Sequence, residues 1–312
     1  MKPWVRNVLL SLMALTLPAY TAVVGSYGKG FPTATSAAQA LVDAAKTDNT
    51  ADLIAILGPR SRDIIVTTDP QADRKVRQEF VAKATEKMRV IRVPGRPNEM
   101  KMLAGNDGWP LPIPIVRVAG KWYFDMARGR RAIIARRVGG NELDAIEVCR
   151  GYVEAQNQFA EVHRTSSGVP YYAQRIFSSP GERNGLYWDG EGQDQGPMGK
   201  MIARAMSEGY TKGEPYHGYH FRVLTSEGRR GSTTPISYVD NGFMTRGFAL
   251  IAWPARYGVS GVMTFVVDKS GIVYQKNLGP NTEAIVDRYY GYLLDNSWTP
   301  VSTMVAGGRK FK

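Results

Sequence analysis

Apolar residues recur at helical spacing in the first part of the chain and then switch to strand-like alternation. Ser36-Ala37-Ala38-Gln39 has the form of a capping box, and Leu41, Ala44 and Ala45 continue a helix behind it. Thr50 opens a second helix with Leu53, Ile54, Ile56 and Leu57 apolar; Gly58-Pro59 stops it. Asp69-Pro70 supplies an N-cap and a first-turn proline. Behind it Val76, Phe80, Ala84 and Met88 recur every four residues, the spacing of one helix face. Residues 90–93 and 100–103 then carry strand patterns. Residues 113–118 and 122–124 flank Ala119-Gly120-Lys121 as a hairpin with glycine in the turn. Helices followed by a strand meander predict an α+β domain over residues 30–139, its helices on one face of an antiparallel sheet.

A second domain is predicted over residues 140–303. Gly139-Gly140 serves as the expected joint, and Asn141 as the cap of a long helix to about residue 164. Leu143, Ile146, Val153, Gln156 and Ala160 mark one face of it, beside Cys149 and Phe159. A glycine-rich stretch at 181–199 leads to a short helix at 198–208. Strand patterns follow at 219–224, 248–253, 262–267 and 272–275, the last two joined by Asp268-Lys269-Ser270-Gly271 as a hairpin. Residues 281–295 are expected to form a closing helix, and 304–312 a basic tail.

The start of the chain changes the picture of where the protein works. Lys2 and Arg6 precede a nearly all-apolar run from Val8 to Leu17, followed by Pro18 and small residues. This is the order of a secretory signal, expected over residues 1–25. The run is too short to span a bilayer, which takes about 20 residues. The expectation is an exported protein, periplasmic or secreted, with no transmembrane segment in the mature chain. The formal charge of +12 favours polyanions or an acidic envelope polymer as partners, alongside an envelope protein. Export argues against nucleic acid. The single cysteine, Cys149, cannot make an internal disulfide and is expected in the core.

Candidate chemistry is sparse. Asp189, Glu191 and Asp194 alternate with glycines, an oxygen-rich arrangement that suits calcium, although the EF-hand pattern is not met. Arg128, Arg130, Arg131, Arg136 and Arg137 form the densest positive cluster and are a candidate binding patch. No aromatics interleave with them as a single-strand nucleic-acid surface requires. His217 and His220 stand at the entry to a strand, where residues three apart face opposite ways. Gly196-Pro197-Met198-Gly199-Lys200 lacks the hydroxyl residue that a phosphate-binding loop places after its lysine. No Gly-x-Ser-x-Gly is present.

Three resemblances add to this. The first domain, with its closing "VRVAGKWYFD" hairpin, resembles the cone-shaped nuclear-transport-factor-like folds, which implies helices cupping a curved antiparallel sheet. The long helix and the strands "YHFRVL" and "GFALIAWPARYGVSGVMTFVVDKSGIVYQKNLG" resemble the globular domain of pilins and pseudopilins, although the polar "RRVGGNELDAI" stands where those carry an apolar half-helix. "GKWYFD", "GNELDAIEVCRGYVEAQNQFA", "YHGYHFRVL" and "GIVYQKNLG" together resemble the bacterial exported-protein family called domain of unknown function 2950. The expected function is non-catalytic binding, with no cofactor unless calcium. The alternatives are a periplasmic hydrolase, with its site in the N-terminal domain or near His217, His220 and the acidic loop, and a small-ligand carrier with its pocket in the N-terminal domain.

Overall fold

The computed structural model describes residues 27–301 apart from 191–193, 229–233 and 290. The expected signal peptide, Glu191 of the acidic loop and the basic tail lie outside the described residues. The chain has two α+β parts. It divides into two compact units, one holding Val76–Arg131 with the residues up to Ile65, the other Val66–Lys75 with the chain from Ala132 onward.

In the first unit, α1 is Ala34–Lys46 and α2 is Thr50–Leu57. The capping box lies one turn earlier than the sequence pattern suggests. Thr33 is the N-cap, its side chain accepting from the Ser36 amide at 3.0 Å, and Ser36 is the reciprocal partner. Starting there brings Ala34 into a buried face with Ala37, Ala38, Leu41 and Ala45. Asn49 caps α2, and Gly58 ends it at φ 91°, a backbone angle that favours glycine. The short α3, Arg62–Ile65, and α4, Pro70–Glu86, come next. Asp69 caps α4 by accepting from the Ala72 amide at 2.9 Å. Ala84 is buried, but Val76 is 60% exposed, so the four-residue repeat is not a continuous buried stripe.

Five strands then build an antiparallel sheet: β1 Met88–Val93, β2 Arg96–Ala104, β3 Trp109–Pro110, β4 Ile115–Val118 and β5 Lys121–Phe124. Their order is β1-β2-β4-β5, with β3 beside β2. Ala119 and Gly120 both have positive φ, as the tight β4–β5 hairpin requires. Helices α1 and α2 pack on β5, burying Leu41, Leu53 and Ile56; Met102, Ile115 and Phe124 are buried on the sheet.

The long helix corrects the expected joint. α5 runs unbroken from Met126 to Val162, through Gly139-Gly140, and Asn141 is no cap. Its side chain instead donates to the Ser260 carbonyl at 2.8 Å. Two mid-helix glycines cost about 2 kcal/mol together relative to alanine. The burial of Cys149, Tyr152, Ala155 and Phe159 further along offsets that cost. Leu143, expected on the buried face, is 69% exposed. Gln156 is fully buried and satisfied: it donates to the Ala173 carbonyl at 2.7 Å and accepts from the Ala173 amide at 2.8 Å. Cys149 is a core residue, its thiol pushed up to about 12 by burial.

Beyond α6, Gly199–Ser207, come β6 Tyr219–Leu224 and the short strands β7 Ser226–Glu227, β8 Ile236–Ser237, β9 Val239–Asp240 and β10 Phe243–Met244. Then follow β11 Ala249–Pro254, β12 Thr264–Asp268, β13 Tyr274–Lys276, α7 Thr282–Val286 and β14 Thr299–Pro300. The larger sheet is antiparallel in the order β14-β13-β12-β11-β6. β11, almost wholly buried, is interior, and β6 is an edge. The Tyr219 hydroxyl donates to the Met263 carbonyl at 2.8 Å, over Gly261, where an added Cβ would sit 2.1 Å from that hydroxyl. The expected helix over 281–295 shrinks to α7. The chain turns off it so that the Tyr292 amide can donate to the Ser226 carbonyl at 2.8 Å, beside β7.

Candidate functional site

The turn into β6 organises a charged cluster in the second unit. Tyr216 and Tyr219 exchange backbone hydrogen bonds of 2.9 and 3.1 Å, leaving His217 and Gly218 as the central pair. Both have positive φ, 47° and 73°, which is the geometry of a type I′ turn. Histidine tolerates that region better than most residues do. Gly218 is needed there, because a Cβ would stand 2.6 Å from the Asn141 side chain and 2.8 Å from Ser260 Cβ.

The turn presents His217 to two carboxylates. Nδ1 lies 2.5 Å from Asp144 Oδ2 on α5, and Nε2 lies 3.1 Å from Glu208 Oε2 at the end of α6. A neutral imidazole has one N–H, so donating to both acceptors requires the cation. Burial pulls the His217 pKa down, but the bonds to Asp144 and Glu208 outweigh it and the net shift is upward. Asp144 is correspondingly lowered, chiefly by His217; Glu208 is lowered too, its own burial outweighed by His217, Lys75 and Arg204. Tyr216 stacks on the His217 ring at 4.2 Å, and burial pushes its hydroxyl up to about 12. Nearby, buried Asp69 accepts from the Tyr210 hydroxyl and the Gly218 amide, each at 3.0 Å. A general base needs a ring nitrogen free to take a proton. Both nitrogens of His217 face carboxylates, forming an ionic clamp between the turn, α5 and the end of α6.

Alongside the clamp runs an open groove of about 510 Å³. One wall is α6 and the residue before it, contributing Met198, Met201, Ile202 and Met206. The other is β6, from His220 to Val223, and Phe177 adds an aromatic face. Arg175, Lys212 and Arg222 bring positive charge to the lining, against Glu214. The volume is that of a small-ligand or peptide site, and methionine surfaces adapt to varied apolar partners.

The three histidines do not converge. His220 packs against Trp253, with its pKa lowered by burial, and His163 stacks on Phe159 at 3.6 Å. In the acidic loop, Asp194 pairs with Arg183 at 2.6 Å and Asp189 accepts from the Tyr187 hydroxyl at 3.3 Å. Of the arginine cluster, Arg128 contacts Glu99 and Asp125, Arg130 meets both oxygens of Asp63, and Arg137 lies 3.9 Å from Asp73. Arg131 and Arg136 are exposed. Among the described residues no group of three or more His, Cys, Asp or Glu side chains could hold a metal ion. No described helix is long and apolar enough to cross a membrane. Sequence reasoning missed Asp144 and Glu208, and it identified Asp69 only as a helix cap. The one local signal was His217-Gly218, a pair suited to a type I′ turn, which would have fixed where the imidazole points.

The chain matches a family model described as "Protein of unknown function (DUF2950)" over residues 28–301, and it belongs to that family. No curated protein and no solved structure matches it.

Proposed function

We propose that this family member is an exported, non-catalytic binding protein whose binding site is the groove between α6 and β6. The observation that carries this reading is the groove's lining, a methionine and aromatic wall with cationic side chains at its margin. Such a surface holds an apolar body and orients an anionic group. The adjacent His217 clamp supports binding over hydrolysis, since both ring nitrogens are occupied by carboxylates. The groove belongs to the second unit and includes His220 in its lining; the sequence alternatives were a pocket in the N-terminal domain or a site near His217, His220 and the acidic loop. The export signal and the basic surplus fit an envelope setting with acidic partners.

The test is titration of the native chain with anilinonaphthalene sulfonate, an apolar anion that fluoresces in apolar surroundings. Saturable binding is expected, and Met206→Glu should weaken it about tenfold, because Met206 is 45% exposed and lines the groove. Binding unchanged in that variant would overturn the assignment. Hydrolysis of ester or phosphate substrates that is lost in His217→Asn would favour the enzyme instead.

A further inference from the structure

The outward edge of β6 is closed at both ends and open between them. Tyr219 turns its N–H and C=O away from β11 and exchanges them with Tyr216. Backbone direction alternates along an antiparallel strand, so Phe221, Val223 and Thr225 turn the same way. The Thr225 carbonyl accepts from the Tyr238 amide at 2.8 Å, which confirms the alternation and closes the far end. Between these closures the N–H and C=O of Phe221 and Val223 have no backbone partner among the described residues. The groove follows this gap. Consecutive residues from both faces of β6, His220 to Val223, line it, as they do when a groove runs along a strand's edge.

An unpaired edge beside an apolar wall is what strand addition uses. Backbone hydrogen bonds supply affinity, and pockets for alternate side chains supply specificity. The span from Tyr219 to Thr225 is about 20 Å at the usual rise per residue, room for a strand of about five residues. Charge selects the occupant. Arg175 donates to the Ser179 hydroxyl at 2.8 Å, and Lys212 lies 5.2 Å above the Phe177 ring; neither pairs with a carboxylate among the described residues. Glu214, the acid in the lining, already accepts from the Thr211 amide.

We propose that the groove takes a short extended segment of a partner polypeptide, apolar at alternate positions and bearing an acidic side chain. This rests on the reading of the groove as a binding site. The segment pairs with Phe221 and Val223, lays alternate side chains on Met201, Ile202 and Met206, and sets its carboxylate at Arg175 and Lys212.

The experiment is selection of a displayed library of random linear dodecapeptides on the full chain, followed by titration of the enriched peptides in solution. Enrichment of alternating apolar residues with Asp or Glu is expected. Val223→Pro removes an N–H that β11 does not use, so it should weaken the peptides at least tenfold while leaving the fold intact by circular dichroism. Lys212→Glu should weaken them about fivefold. Should Val223→Pro unfold, the wild-type amides decide: the peptide should slow hydrogen exchange at Phe221 and Val223, and unchanged exchange overturns the proposal. So does the absence of enriched peptides, or equal binding to a folded Val223→Pro. Saturable anilinonaphthalene sulfonate binding without peptide binding would leave the groove a small-ligand site; loss of both would remove the binding reading as well.

Discussion

The turn into β6 and the middle of β6 lie a few residues apart and treat their polar groups in opposite ways. In the turn, both nitrogens of His217 and the Gly218 amide meet carboxylates. Three residues on, Phe221 and Val223 hold their outward backbone groups toward the groove with no backbone partner among the described residues. A polar group that the fold has satisfied holds structure, and one facing a hollow unsatisfied is free to recognise something else. On the proposed reading, the titratable cluster at the turn is architectural and recognition falls to the plainer strand beside it.

Proline substitution should separate the two edges of β6 most sharply. Arg222 faces β11 across the register with Ile251, so Arg222→Pro breaks the ladder. It should cost about 3 kcal/mol or more in denaturant unfolding, against less than about 1 kcal/mol for Val223→Pro. Equal losses would mean that the outward edge is as engaged as the inward one. Asp69→Ala comes next. It strands the Tyr210 hydroxyl and the Gly218 amide, and about 2 to 3 kcal/mol should disappear from the melt. A loss near zero would show that water replaces the carboxylate and that the turn is not held as described.

The smallest effect concerns pH. The raised His217 pKa gives a stabilisation that is complete below the ordinary imidazole value of 6.5 and is lost as pH rises through the higher folded value. The lowered Asp144 and Glu208 values give one that is complete above 3.8 and 4.5 and is lost as pH falls through the folded values. The clamp is therefore strongest between about pH 4.5 and 6.5. Relative to His217→Asn, which keeps a side chain tolerant of positive φ, the wild type should lose its advantage as pH rises from 6 to 9. Parallel pH profiles would show that His217 carries no charge across the clamp.

What the sequence made legible was local. Asp69-Pro70, Gly58-Pro59 and the Ala119-Gly120 turn punctuate the chain with residues whose backbone preferences act over one turn, and the elements they bound stand where they point. Gly139-Gly140 misled because glycine in a helix carries only a modest cost that packing elsewhere can outweigh. The span 281–295 misled because its continuation is decided by Tyr292 pairing with Ser226, a contact no local pattern reveals. The clamp was hidden for the same reason, since Asp144 lies 73 residues from His217 and Asp69 lies 149 from Gly218. Met198, Met201 and Met206 were visible as residues of a short helix. That they face an open strand edge follows only from the strand order.

Gly261 and Tyr219 carry a consequence for how such chains can drift over generations. The Tyr219 hydroxyl occupies the space a Cβ at position 261 would need and is anchored there on the Met263 carbonyl. Any side chain at 261 evicts the tyrosine, and loss of the tyrosine removes what glycine was accommodating. The two positions are thus one inherited character written in two places. Among descendants of this sequence, a change at one should be found in company with a change at the other.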